Sequence, residues 1–240
     1  MSQITTVKQD ALIDATSVGA LKVKVFGLGS IGSILVKQLA LLGFQDITGH
    51  DFDTVDADNI GSQEFKAKHV GMKKTDALKA MMKEDYDYDI RVFDGKIDGS
   101  TVITPEDNTV YFCAFDSLEA RKMLWDKLKN FPIIWGETRI GLTSQRYYFI
   151  DLRKTDEGWK GEYEATMDPS GPRTELKCGE KGCYPSNAEL VAKVARQIVN
   201  IAENKPINTL YIGDWGAPDG IHRTPTQEVP SMGEMSYNGD

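Results

Sequence analysis

Histidine and cysteine are scarce in this chain, three of each among 240 residues. The cysteines are Cys113, Cys178 and Cys183. Three irregularly spaced cysteines do not make a disulfide-stapled fold, so a reducing cytoplasm is the default compartment. Cys178 and Cys183 form a single C-x4-C pair, and two thiolates leave a tetrahedral zinc site half built, so zinc is not expected. Basic residues are outnumbered, 28 Lys and Arg against 36 Asp and Glu, for a net charge of −8. Nucleic-acid surfaces need clustered Lys and Arg against phosphates, so no such partner is expected. No apolar run approaches the roughly 18 residues of a membrane helix. The first twenty residues lack the basic-then-apolar layout of a secretion signal. They also contain no arginine.

What is present suits a packed α/β domain: 40% hydrophobic and 27% charged residues. Residues 1–20 read as a leader, with a short helix expected over Gln9–Thr16. Residues 21–212 read as the core. Residues 213–240 are rich in Gly, Pro, Asp, Glu, Ser and Met without an apolar period, and read as an extended or disordered tail. The organising stretch is Lys22–Gln63. The apolar run Val23-Lys24-Val25-Phe26 enters Gly27-Leu28-Gly29-Ser30-Ile31-Gly32. An amphipathic run to Leu42 follows, then a second strand ending on Asp51. Strand, glycine turn, helix, strand and acid make the nucleotide-binding βαβ pattern. Gly27 permits the tight turn, Gly29 lets backbone approach a phosphate, and Gly32 lets helix pack on strand. The N–H groups around Ser30, Ile31 and Gly32 then face the phosphate. Asp51 is placed for ribose hydroxyls. These features alone leave NAD, FAD, SAM and ATP open.

Helices are expected over Lys73–Met82, Leu118–Lys129 and Asn187–Ala202, from apolar residues at helical spacing. Strands are expected over Asp89–Asp94, Val110–Ala114, Pro132–Gly136, Tyr147–Leu152 and Leu210–Ile212. A helical turn is expected near Glu64–Lys68, an element over Gly99–Thr104 with a helix start at Pro105, and a hairpin partner for Tyr147–Leu152 over Trp159–Tyr163. Alternating β and α up to Pro132 implies a doubly wound, mainly parallel sheet of Rossmann-like type. The β-rich stretch after Arg139 implies an antiparallel C-terminal extension.

The residues after Asp51 narrow the ligand. Asp51-Phe52-Asp53-Thr54-Val55-Asp56-Ala57-Asp58-Asn59-Ile60-Gly61-Ser62-Gln63 resembles the D-x-D-x-V-x-x-S-N-L-x-R-Q signature of the ThiF/MoeB/HesA family, prokaryotic relatives of ubiquitin-activating enzymes. Val70-Gly71-Met72-Lys73-Lys74 resembles the family's V-G-x-x-K. Phe115-Asp116-Ser117-Leu118-Glu119-Ala120-Arg121 resembles T-D-N-x-x-x-R. Pro132–Gly136, Gly141 and Gln145 resemble the strand and loop beyond. The resemblance covers about Leu21–Phe149.

It implies a fold that binds Mg²⁺ and ATP and adenylates a carboxylate, the C-terminus of a ubiquitin-like protein or peptide, releasing pyrophosphate. It implies a homodimer. Asp51 would hold the ribose, and Asp53, Asn59 and Gln63 would line the nucleotide or order its loop. Lys74 and a magnesium ion on Asp116 would stabilise charge on phosphate oxygens. Cys183, just before a helix start, is the candidate thiol for carrying the acyl group onward, with Cys178 next. Each residue has a plainer reading: Lys74 as a surface lysine competing with Lys73, Asp116 as a helix cap, Asp56 and Asp58 as a solvated acidic loop, Cys113 as inert core. Two departures stand out. Ser62 takes the place of the signature's arginine, and residues 1–20 lack the arginine that relatives contribute to a partner subunit. Lys66, Lys68, Lys73 and Arg139 are the candidate replacements. The alternatives are a nucleotide-binding pseudoenzyme or interaction module and, third, an NAD-dependent oxidoreductase, for which no Tyr–Lys or His pair stands out.

Overall fold

The computed structural model describes residues 8–141, 143–154, 157–168, 183–215 and 221–223. In chain order the first elements are α1 (Ala15–Ala20), β1 (Lys22–Phe26), α2 (Gly32–Leu41), β2 (Asp46–Asp51), α3 (Lys74–Tyr86), β3 (Arg91–Asp94) and β4 (Thr109–Cys113). Then come α4 (Leu118–Leu128), β5 (Ile134–Ile140), β6 (Ser144–Asp151), α5 (Glu157–Ala165), α6 (Tyr184–Ala202), β7 (Leu210–Asp214) and β8 (Ile221–Arg223). The strands form one sheet in the order β3-β2-β1-β4-β5-β6-β7-β8. The first five are parallel and the last three antiparallel. Both the doubly wound half and the antiparallel extension are therefore present.

β4 is covered on both faces, which is why Val110–Ala114 reads as an unbroken apolar run. Every residue of β4 is buried. Val23 and Val25 of β1 face the side covered by α2, α3 and α6, where Leu35, Leu39, Leu78, Leu190, Val194 and Ile198 complete one core. Phe26 and Tyr111 face the other side, with Trp125 of α4, Trp135 of β5 and Tyr163 of α5. Trp125 meets Trp135 and Tyr163 edge-on at centroid distances of 5.3 and 4.7 Å. Each such pair contributes about 0.5–1.5 kcal/mol beyond area burial.

Between β1 and β4 the chain's winding reverses, so a crevice opens at the carboxyl ends of these two strands. The Gly27–Gly32 turn follows β1, Asp51 ends β2 and Asp116 follows β4 at that edge.

Several local expectations are corrected. The N-terminal helix starts later, after Asp14, whose carboxylate accepts from Thr16 N–H at 3.0 Å and Ser17 Oγ at 2.6 Å. Val18 of this helix is fully buried. Trp159 and Tyr163 lie on the helix α5 rather than on a hairpin strand, because their four-residue spacing puts both rings on one face against Trp125 and Trp135. Residues 95–108 carry no helix or strand, so the element expected over Gly99–Thr104 and the helix start at Pro105 are both absent. The helical turn expected at Glu64–Lys68 falls at Ala67–His69, and a second covers Ala57–Asn59. Within the stretch 213–240, β8 pairs with β7 through Tyr211 and His222. Cys178 and most of that stretch lie outside the described residues.

Candidate functional site

The glycine turn carries the geometry its sequence implied. Gly27 has φ +95°, a left-handed value that a side chain would strain. Its N–H donates to the His50 carbonyl at 2.8 Å, and Phe26 O accepts from Ala114 N–H at 2.7 Å. Three strand ends are thus tied together where the turn begins. A Cβ on Gly27 would press on Ala114 O at 2.9 Å, so the turn sits directly against the segment leading to Asp116. A Cβ on Gly32 would stand 1.8 Å from Gly27 O, which explains the second obligatory glycine. A Cβ on Gly29 would meet nothing within 4 Å, leaving room above the turn. Ile31 begins α2 without a side-chain cap, so no side chain of the cap residue occupies the first-turn N–H groups around Ser30, Ile31 and Gly32.

Asp51 is only 7% exposed. Its Oδ2 accepts from Leu28 N–H at 2.6 Å and its Oδ1 from Asp53 N–H at 2.8 Å. One carboxylate therefore ties the end of β2 to the glycine turn and keeps further lone pairs for a ligand. The neighbouring His50 stacks between Phe26 and Phe93 at 4.5 and 4.9 Å. Burial, helped by the charge of Lys24, pushes its imidazole down to about 4, so the ring is neutral at pH 7.

The structure separates the two competing lysines. Residue 54 bridges residue 73, and Lys74 N–H donates to Asp53 O at 2.9 Å. This turns Lys74 inward, where it is 8% exposed and its Nζ meets Asp53 Oδ2 at 3.0 Å. Lys73 points outward to Phe52 O at 2.8 Å and Asp94 at 3.4 Å.

Asn59 is locked into its loop: Oδ1 accepts from Asp56 N–H at 3.0 Å, and its backbone carbonyl accepts from the N–H groups of Ser62 and Gln63. Its amide NH2 is what it has left for a ligand. Gln63 has its Oε1 buried, with no hydrogen-bond partner among the described residues.

Asp116 is exposed at the carboxyl end of β4. It is not the cap of α4. Ser117 fills that role, accepting from Ala120 N–H at 3.3 Å. The segment before Asp116 is held from below by Arg121, which sequence reading noted only as part of a motif. Arg121 Nη2 donates to Phe115 O, and Nη1 to Glu137 Oε1 at 2.7 Å. Glu137 is fully buried and also accepts from Arg139 and Tyr163. Burial and the adjacent Glu137 carboxylate hold the Tyr163 hydroxyl well above its ordinary range, so it stays protonated. A lone glutamate within the otherwise apolar Ile133-Ile134-Trp135-Gly136-Glu137 was the available signal for this cluster.

Among the proposed replacements for the missing arginine, Lys66 pairs with Asp85, Lys68 with Glu84, and Arg139 with Glu137. The two lysine pairs lie on the surface, and Arg139 shares Glu137 with Arg121. Cys183 is exposed at the cap position of α6. Cys113 is core, its thiol pushed up to about 12 by burial and therefore inert at pH 7.

The ThiF family model matches residues 5–209. The NEDD8-activating enzyme E1 catalytic subunit of Caenorhabditis elegans is 29% identical over 230 residues, 90% of this chain and 52% of the relative. The chain spans about half the length, or less, of the curated relatives it matches. Among solved structures, E. coli MccB with AMPCPP and MccA superposes with a TM-score of 0.64 at 14% identity, over 88% of this chain and 65% of that one. MccB with ATP gives 0.62 at 15% identity, over 88% and 65%. At these identities the likeness is one of fold.

Proposed function

This chain belongs to the ThiF family, and from that premise we propose that it adenylates a carboxylate with ATP, most simply the C-terminus of a ubiquitin-like protein or peptide. The observation that carries the reading is the meeting of a glycine turn, Asp51, Lys74 and Asp116 on one rim of the sheet, at its winding reversal. Relatives named for NEDD8, and MccB solved with ATP or with MccA, support the same reaction class.

In this reading the N–H groups of Ser30, Ile31 and Gly32 take phosphate oxygens, and Asp51 takes ribose hydroxyls. Asn59 and Gln63 offer amides to the same ligand. A substrate carboxylate oxygen attacks the α-phosphorus. An O–P bond forms, the bond to the bridging oxygen breaks, and pyrophosphate leaves with the electron pair. No general base is required, because the attacking carboxylate is already ionised at neutral pH. Lys74, held taut by Asp53, offers positive charge where phosphate oxygens gain negative charge. A magnesium ion, when bound, adds charge neutralisation there. One exposed carboxylate suits magnesium, which commonly takes one or two carboxylates together with substrate phosphates. Asp116 is that carboxylate. Cys183 would accept the activated acyl group, and a homodimer is the proposed assembly.

A second reading has its own support. Ser62 replaces the signature's arginine, while Lys66 and Lys68 pair with Asp85 and Glu84 and Arg139 shares Glu137 with Arg121. That favours a nucleotide-binding pseudoenzyme. Pyrophosphate exchange separates the two. Label passing from pyrophosphate into ATP, dependent on an added carboxyl partner, supports adenylation. ATP binding without exchange, across small carriers and peptides, supports the second reading.

A further inference from the structure

Glu64 carries no role in the site just described, yet three elements meet on it. Its backbone N–H donates to Ser33 Oγ at 3.2 Å, and Ser33 donates in turn to Gly29 O at 2.7 Å. Its carboxylate receives Lys37 Nζ from α2 at 2.8 Å and the Tyr184 hydroxyl from α6. Tyr184 is the first residue of α6 and directly follows Cys183. The Glu64 side chain is only 9% exposed, so water screens these contacts little. The path from the glycine turn to the candidate thiol thus runs Gly29, Ser33, Glu64, Tyr184, Cys183.

We propose that Glu64 is a positioning residue that couples the glycine turn to the start of α6, so that nucleotide on the turn restrains the Cys183 thiol. The proposal rests on the preceding reading that nucleotide binds this turn. Phosphate on the N–H groups of α2 fixes Gly29 and Ser33, and Ser33 in turn fixes the Glu64 backbone. A fixed Glu64 carboxylate holds Tyr184 and suppresses fraying of the first turn of α6. Cys183 is exposed at the cap of that turn, so its freedom to swing toward an external reagent follows the fraying of the turn. Coupling of this kind is reciprocal between equilibria, so fraying of the first turn of α6 weakens nucleotide binding by the factor by which nucleotide suppresses that fraying.

The experiment follows Cys183 alkylation by a maleimide with and without ATP and magnesium, in a Cys178→Ser background so that one reactive thiol is read. ATP affinity is measured separately by calorimetry. In the parent protein ATP slows alkylation by about fivefold. Tyr184→Phe removes only the α6 tie and Ser33→Ala only the tie to the turn. Each should still bind ATP and lose the protection. Glu64→Ala should lose it too, while Glu64→Gln, which still accepts from Tyr184, retains it and shows that the loss is not unfolding. Protection that survives in both Tyr184→Phe and Ser33→Ala overturns the coupling. So does an ATP-bound parent protein whose alkylation rate is unchanged. Failure of the parent protein to bind ATP at all overturns the nucleotide reading and the coupling with it.

Discussion

Acidification should destabilise this fold, and His50 should carry a measurable share of the loss. Its ring lies between Phe26 and Phe93, and burial lowers its titration from 6.5 to about 4. In the unfolded chain the imidazole takes up a proton as pH falls through 6.5. In the folded chain it resists until about 4. Between these values the unfolded state binds more protons, so the contribution is complete above 6.5 and is lost on the way down to 4. At about 1.4 kcal/mol per unit, going from pH 7 to pH 5 costs about 2 kcal/mol from this ring alone. In a chain of this length that lowers the melting temperature by about 4–8 °C. The assay is thermal unfolding by circular dichroism at both pH values, on the parent protein and on His50→Phe. Phenylalanine keeps a flat ring in the stack and does not titrate. His69, whose titration burial also lowers, and the paired carboxylates act in both proteins and cancel in the comparison. The acid-induced drop should be smaller in His50→Phe by about that amount. Equal drops in the two proteins would refute the argument.

Gly32→Ala should cost about 1–3 kcal/mol, because the new methyl group meets Gly27 O. Melting temperature and ATP affinity should fall together, as calorimetry can show. Arg121→Met leaves Glu137 with Arg139 as its cationic partner and frees Phe115 O. It should cost about 3 kcal/mol by chemical denaturation and reduce pyrophosphate exchange as the Asp116 segment loosens. Lys74→Ala should lower exchange by about 100-fold or more, whereas Lys73→Ala, which removes only an outward lysine, should leave it near the parent value.

The β1-turn-α2-β2 unit was legible because its signals are local. The turn needs glycine at two positions for steric reasons that no other residue can satisfy, and β4 lies between covered faces and so reads as an apolar run. α5 was misread because the five residues from Trp159 to Tyr163 fit a period of two as well as a period of four. Only the waiting indole of Trp125 decides between them. The inward turn of Lys74 depends on the pairing of residues 54 and 73, which no propensity encodes. Arg121, Glu137 and Tyr163 come from three separate elements. Glu64 finds Tyr184 across 120 positions. Such partners are chosen by packing, and a linear pattern carries little trace of them.

Arg121 and Arg139 share the single carboxylate of Glu137, so that trio, buried except for part of Arg139, holds one positive charge in excess. The chain as a whole carries −8. An anionic ligand approaching from bulk water therefore meets repulsion first and, close to the rim, attraction from a charge seated in poorly polarisable surroundings. Salt weakens the first force far more than the second, because mobile ions reach the outer surface and not the interior. If a nucleotide binds at this rim as proposed, its arrival should thus quicken as ionic strength rises, the opposite of the behaviour of a protein that recruits phosphates with surface lysines.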